Sequence, residues 1–213
     1  MFRLSSIRGK LGACFGVLVL LVVSFGAFSL WELRQVNEAA RELRDHRLPV
    51  TQILAKIQVA VLRLRVNGGR LITADTPALR AEVAETIAKR IRELGEFREA
   101  FLRQPSTPET AALFASFEAK WQAYTALQAE AIARANEGDV VGAQRIYNTT
   151  MSAGSNATLA ELQKLIDANE TDARLAGSAA EAAYETANFS TLLFIGVAFL
   201  LAVGAAVGLG LNV

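Results

Sequence analysis

Residues 11–31 read LGACFGVLVLLVVSFGAFSLW and residues 186–213 read TANFSTLLFIGVAFLLAVGAAVGLGLNV, and neither run contains a charged side chain. All 21 acidic residues of the 213-residue chain lie between them. At 1.5 Å rise per residue, each run is long enough to cross the roughly 30 Å hydrocarbon core of a bilayer as a helix. Trp31 closes the first run at a position suited to a membrane interface. A cleaved signal peptide is the competing reading. The apolar stretch is too long for a typical signal core, and no clear small-x-small cleavage site follows it before Trp31-Glu32. Leu11-Gly12-Ala13-Cys14 has the letters of a lipoprotein box but precedes the apolar stretch instead of following it, so Cys14 reads as an ordinary helix residue.

The charges on either side orient the chain. Arg3, Arg8 and Lys10, with no acid among them, precede the first run, which places residues 1–10 in the cytoplasm. Residues 11–31 then form a first span, 32–189 an outer domain and 190–213 a returning span. Of 22 basic residues, three sit in the tail, so the outer domain carries 19 basic and 21 acidic residues. That balance excludes a polyanion binder, and no nucleic-acid partner is expected. One His and one Cys exclude a Cys/His zinc site and a disulfide scaffold. No phosphate loop, nucleophile elbow or metal-binding pair is visible, so the sequence reads as a non-enzyme without metal or cofactor.

The outer domain reads as four helices. Residues 32–74 carry Val50, Ile53, Ile57, Ala60, Leu64, Asn67 and Leu71 at steps of three and four, a seam suited to bundle packing. Asp75-Thr76-Pro77 starts a second helix of about 77–103, whose seam is Val83, Ile87, Arg90, Leu94, Phe97 and Phe101. Pro105 and Pro108 end it, and Ser106 or Thr107 caps a third helix over 108–136, with a seam of Phe114, Phe117, Trp121, Tyr124, Gln128, Ala131 and Ala135. Asn136-Glu137-Gly138-Asp139 is a tight turn. The fourth helix runs from 139 towards 189, with a small and polar inner face of Ala143, Tyr147, Thr150, Gly154, Ala157, Leu162, Leu165, Asn169, Ala176 and Ala180. Asn67-Gly68-Gly69 loosens the first helix near its end, and His46 reads as packed against the seam near Pro49. Two long helices and two short ones give an all-α, antiparallel up-down-up-down four-helix bundle flanked by two transmembrane helices.

This layout resembles the four-helix-bundle sensor region of bacterial methyl-accepting chemotaxis receptors. The resemblance rests on the basic tail, the first span, the long first helix with its Leu48-Pro49 step, the Glu137-Gly138-Asp139 turn, the long fourth helix and the second span. It implies a multi-pass receptor of the bacterial inner membrane whose periplasmic bundle forms a homodimer, binds a small solute and shifts its fourth helix and second span. The same bundle fronts sensor kinases and cyclic-dinucleotide enzymes, and a membrane-anchored bundle that recognises a protein, such as a periplasmic binding protein, also stays open. The chain ends at Val213 without a HAMP-like linker or cytoplasmic coiled coil, and so reads as the input half of a longer protein.

Arg90 interrupts an apolar seam between Ile87 and Leu94, and a buried guanidinium needs an anion. Counting back from the two distal turns places Arg63, Arg90, Tyr124 and Thr150, one per helix, at similar heights. The expectation is a carboxylate site, for an organic acid or amino acid, with Arg63 and Arg90 binding the anion and Tyr124, Gln128 and Thr150 orienting it. Lys56, Arg63 and Arg70 recur every seven residues along one edge of the first helix. In the aspartate-receptor branch of the family, first-helix arginines of both subunits grip the ligand, which implies a similar role for Arg63 and Arg70. Tyr147 is a secondary candidate. The competing reading of Arg90 is that it snorkels to the surface and pairs with a glutamate.

Overall fold

A computed structural model of the protein describes residues 7–210. Arg3 of the basic tail and the last three residues of the second apolar run lie outside the described residues, as do the side chains of Arg8, Lys10 and Cys14. The described residues are helical almost throughout, with no strand among them. The helices are α1 (Ile7–Arg41), α2 (Leu48–Ile72), α3 (Pro77–Leu102), α4 (Pro108–Asn136), α5 (Val140–Asn148) and α6 (Thr150–Gly210).

Between α1 and α2 the chain widens into a π-helical segment, Glu42–Arg47. Pro49 accounts for it: the residue has no N–H to donate, and its ring crowds the carbonyl one turn earlier. His46 lies on this segment and is exposed, not packed on the seam, because the wider turn carries it off the apolar face.

The short connections follow their capping chemistry. Thr76 Oγ1 accepts from the Leu79 amide at 3.2 Å, with Pro77 at the first helical position. Thr107 repeats the arrangement for α4, its Oγ1 accepting from Thr110 N at 3.1 Å. Gly138 takes a φ of 89°, the left-handed value that a side chain disfavours, and Asp139 Oδ1 then accepts from Gly142 N at 2.9 Å.

Residues 44–174 form one compact unit, the four-helix bundle. Its core takes Leu54, Ile57, Val61, Leu64 and Leu71 from α2, and Val83, Ile87 and Leu94 from α3. Phe101 stacks on Phe114 with ring centres 4.6 Å apart, and Trp121 meets Tyr124 at 5.7 Å. The fourth helix departs from the expected register. Thr149 leaves helical geometry (φ −110°, ψ −86°), separating α5 from α6. Beyond it the buried positions are Met151, Ser155 and Thr158 instead of Thr150, Gly154 and Ala157, a shift of one residue. The run Asn148-Thr149-Thr150 explains the break: all three disfavour helix interiors, and Thr149 Oγ1 donates to the Arg145 carbonyl at 2.7 Å.

Asn67-Gly68-Gly69 does not fray. The helix continues through it to Ile72, and the glycines admit close neighbours. A Cβ on Gly69 would stand 2.7 Å from Tyr147 Oη, and one on Gly68 would stand 3.0 Å from Gln128 Nε2.

Residues 1–43 and 175–213 make up the second unit. There Phe25 of α1 meets Phe194 of α6 with ring centres 5.1 Å apart. Both helices contain a segment long and apolar enough to cross a membrane, and 6% of the first segment and 0% of the second is buried. A core helix of a water-soluble domain would bury such a face, so this exposure favours a lipid environment over a soluble core.

Candidate functional site

Arg63 and Arg90 line one groove of about 280 Å³ between α2 and α3, with Ala55, Lys56, Val59, Ala60, Glu93 and Phe97. Lys56 joins them because it precedes Arg63 by seven residues, two helical turns. Its Nζ stands over the Phe97 ring, 5.7 Å from the centre. Phe97 is half-buried and walls the groove, where its seam position suggested core. Three cations thus face a single carboxylate, Glu93, over an apolar floor.

Of the two readings of Arg90, the geometry is that of the paired one. Its Nη1 donates to Glu93 Oε2 at 2.6 Å, and both side chains remain about 30% exposed. The stem crosses the seam and the guanidinium reaches the groove, the geometry of a snorkelling arginine. An ion pair three residues apart on a partly exposed helix contributes on the order of 0.5 kcal/mol. A carboxylate ligand can therefore compete for the guanidinium at small cost.

The remaining candidates stand elsewhere. Tyr124 and Gln128 are buried in the bundle core. The Gln128 amide donates to the Leu64 carbonyl at 3.4 Å, and the Tyr124 hydroxyl has no hydrogen-bond partner. Burial pushes the Tyr124 phenol up to about 12; Tyr147 adds to the shift and Arg65 opposes it. Tyr147 is half-buried and donates to the Arg65 carbonyl at 3.2 Å. Thr150 is exposed, its Oγ1 donating to the Ile146 carbonyl at 3.2 Å, because the break at Thr149 turns it away from the core. Arg70 is also exposed. The structure brings Arg63 and Arg90 together and does not bring Tyr124, Gln128 or Thr150 to their groove.

Two features had weaker signals in the sequence. Arg65 donates to Ser152 Oγ at 2.9 Å and to Asn156 Oδ1 at 3.3 Å, tying α2 to α6; its position between two better-patterned arginines hid it. A second apolar face runs along α2 through Leu48, Val59, Leu62 and Val66, each 44–62% exposed. At 3.6 residues per turn it lies about 180° from the core face, so both faces share the same three-and-four spacing. A larger cleft of about 720 Å³ lies between the start of α4 and α6, but it sets Glu109, Asp167 and Asp172 against Lys164 alone. Its charge does not suit an anion.

Comparison with known proteins agrees with this architecture. A family model described as a four helix bundle sensory module for signal transduction matches residues 3–184. The chain belongs to that family, a sensory class and not a catalytic one. No curated protein matches the chain.

Proposed function

We propose that this chain is the sensing and membrane-crossing part of a bacterial chemoreceptor-type receptor, with its bundle on the periplasmic side and a small carboxylate as ligand. The observation that carries the reading is the convergence of Lys56, Arg63 and Arg90 on one apolar-floored groove. A carboxylate accepts two parallel hydrogen bonds from a guanidinium, and the groove offers two guanidinia and an ammonium. Val59, Ala60 and Phe97 take the carbon body of an organic acid or amino acid.

The exposed apolar face of α2 supports a homodimer, since a helix with two opposed seams has one for its own core and one for a partner. Lys56, Arg63 and Arg70 flank that face, so a twofold axis along it brings the basic edges of two subunits near each other. Ligand binding then favours one of two helix arrangements by its differential affinity for them.

The test is calorimetry on the full chain in lipid nanodiscs, screened against mono- and dicarboxylates and amino acids. A charge-assisted hydrogen bond contributes about 1.5–3 kcal/mol, so Arg63→Ala and Arg90→Ala should each weaken a confirmed ligand by about tenfold or more. Thr150→Ala, outside the groove, should leave the affinity unchanged. Unaltered affinity in both arginine variants would falsify the assignment.

A further inference from the structure

Glu32 is the first charged residue after the apolar run of α1, and it is 5% exposed. Its Oε1 is shut off from solvent without a hydrogen-bond partner. A buried carboxylate in that state is expensive unless a cationic group or a proton joins it. The residue lines a cavity of about 390 Å³ between α1 and α6, together with Ser29, Leu33, Tyr184, Asn188 and Thr191. These oxygens are hydrogen-bond acceptors around a single negative charge.

The space is partly open and far larger than the roughly 30 Å³ that one water occupies in the liquid, so it has room for a group of several heavy atoms. A primary ammonium has three N–H donors to distribute over the Glu32 carboxylate, the Ser29 and Thr191 hydroxyls and the Asn188 carbonyl. The Tyr184 ring adds a cation-π wall, and Leu33 packs on methylenes. The carboxylate can turn towards such a donor because its terminal torsion is soft.

Position along the chain indicates where the ammonium comes from. The cavity residues straddle both boundaries at which charge-free sequence gives way to charged sequence, at 31/32 and 185/186. In a bilayer that level is the headgroup zone, next to Trp31. We propose that the Glu32 cavity binds a primary ammonium group, either the ethanolamine headgroup of a lipid or a free amine. The lipid source rests on the reading of the two apolar helices as membrane spans.

Native mass spectrometry of the full chain in neutral detergent tests the site, with phosphatidylethanolamine, phosphatidylcholine and phosphatidylglycerol titrated in turn. The expected result is retention of the ethanolamine lipid about tenfold above the other two, lost in Glu32→Gln and reduced in Ser29→Ala. Circular dichroism confirms that each variant keeps its helicity. Competition by millimolar ethanolamine shows that a free amine suffices, and retention without competition assigns the site to the lipid. Equal retention of the choline lipid, unchanged retention in Glu32→Gln, or a Glu32-dependent stabilisation by sodium or calcium but not by amines overturns the proposal. Flotation with vesicles after an alkaline wash separates the two readings. An embedded chain without amine preference sinks the site alone, and a chain washed off sinks the spans.

Discussion

At the scale of single residues, the bundle is governed by what stands next to its glycines and its buried, unpartnered Tyr124 hydroxyl. A methyl group on Gly69 meets Tyr147 Oη at 2.7 Å and Cζ at 2.9 Å, whereas one on Gly95, in mid-α3, meets nothing within 4 Å. Gly95→Ala should therefore raise stability by about 0.5–1 kcal/mol through helix propensity. Gly69→Ala gains the same term but must displace the ring, and overpacking costs about 1–3 kcal/mol. Denaturant melts should show the two variants moving in opposite directions. Tyr124 gives a pH signature. Its folded pKa is raised to about 12 from an ordinary 10, so above pH 10 the unfolded chain releases its proton first. The folded state then holds more protons, and stability falls as pH rises from about 10 to 12. Two units correspond to at most about 2–3 kcal/mol. Tyr124→Phe, which loses a hydroxyl with no partner, should be at least as stable as the parent at pH 7 and should lack this alkaline loss. An identical alkaline decline in both proteins would refute the Tyr124 origin. Of the basic half of the candidate site, Arg90 was legible because it interrupts an apolar seam and Arg63 because its height along the bundle matches it, whereas Lys56 read only as part of a basic edge. The orienting half was not, since a Tyr or Gln on a seam looks the same whether it faces a ligand or a carbonyl such as that of Leu64.

At the scale of helices, α2 is the element that most constrains the molecule. Its core face and its exposed face of Leu48, Val59, Leu62 and Val66 are both apolar, and the bundle covers only one of them. Replacing Val59, Leu62 and Val66 together by Ser should shift the full chain from dimer to monomer in analytical ultracentrifugation. Mean helicity should be preserved, because none of the three belongs to the core. A dimer that survives the triple change would place the interface elsewhere. The four bundle helices and their turns could be read from the sequence because each signal is local: Pro after a capping Thr, Gly in a left-handed turn, and a repeat of three and four. The break at Thr149 escaped because it stops no pattern. It slips the inner face by one residue, from Thr150 to Met151, and the alternative face of Thr150, Gly154 and Ala157 looks equally suitable for packing. The π-helical turn before Pro49 was foreseeable only as a step at Leu48-Pro49, since the surplus residue can be absorbed in several ways.

At the scale of the whole molecule, the proposed ligand between α2 and α3 would have to act on α6, the helix that runs from Thr150 to Gly210. The groove does not touch α6, and of its two helices α2 is the one tied to α6 by polar side chains. Lys56 and Arg63 line the groove on one edge of α2. The opposite edge is tied to α6 by polar side chains: Arg65 to Ser152 and Asn156, Asn169 Nδ2 to Thr51 Oγ1 at 2.7 Å, and Arg47 to Asp172 Oδ2 at 2.8 Å. Hydrogen bonds have narrow geometric limits, and helix displacements in such switches are of order 1–2 Å. A turn or slide of α2 that size breaks these ties or makes new ones, whereas apolar contacts tolerate it. Under the proposed sensing role, binding and helix position are linked, and couplings between two such sites are typically about 1–3 kcal/mol. A cysteine pair at Thr51 and Asn169, with Cys14→Ser as background, reports on that seam. Disulfide formation in vesicles should change by about fivefold or more when a carboxylate identified by calorimetry is saturating, the fold-change equivalent to about 1 kcal/mol. Adding Arg65→Met keeps the packing of the stem but removes the tie. It should flatten the ligand dependence of crosslinking while the calorimetric enthalpy of binding at the groove persists. Equal crosslinking rates with and without ligand in the parent pair would show that α2 and α6 do not move against each other, and the route from groove to α6 would then have to run through α3 and α4, where Arg98 and Glu118 form the connecting ion pair.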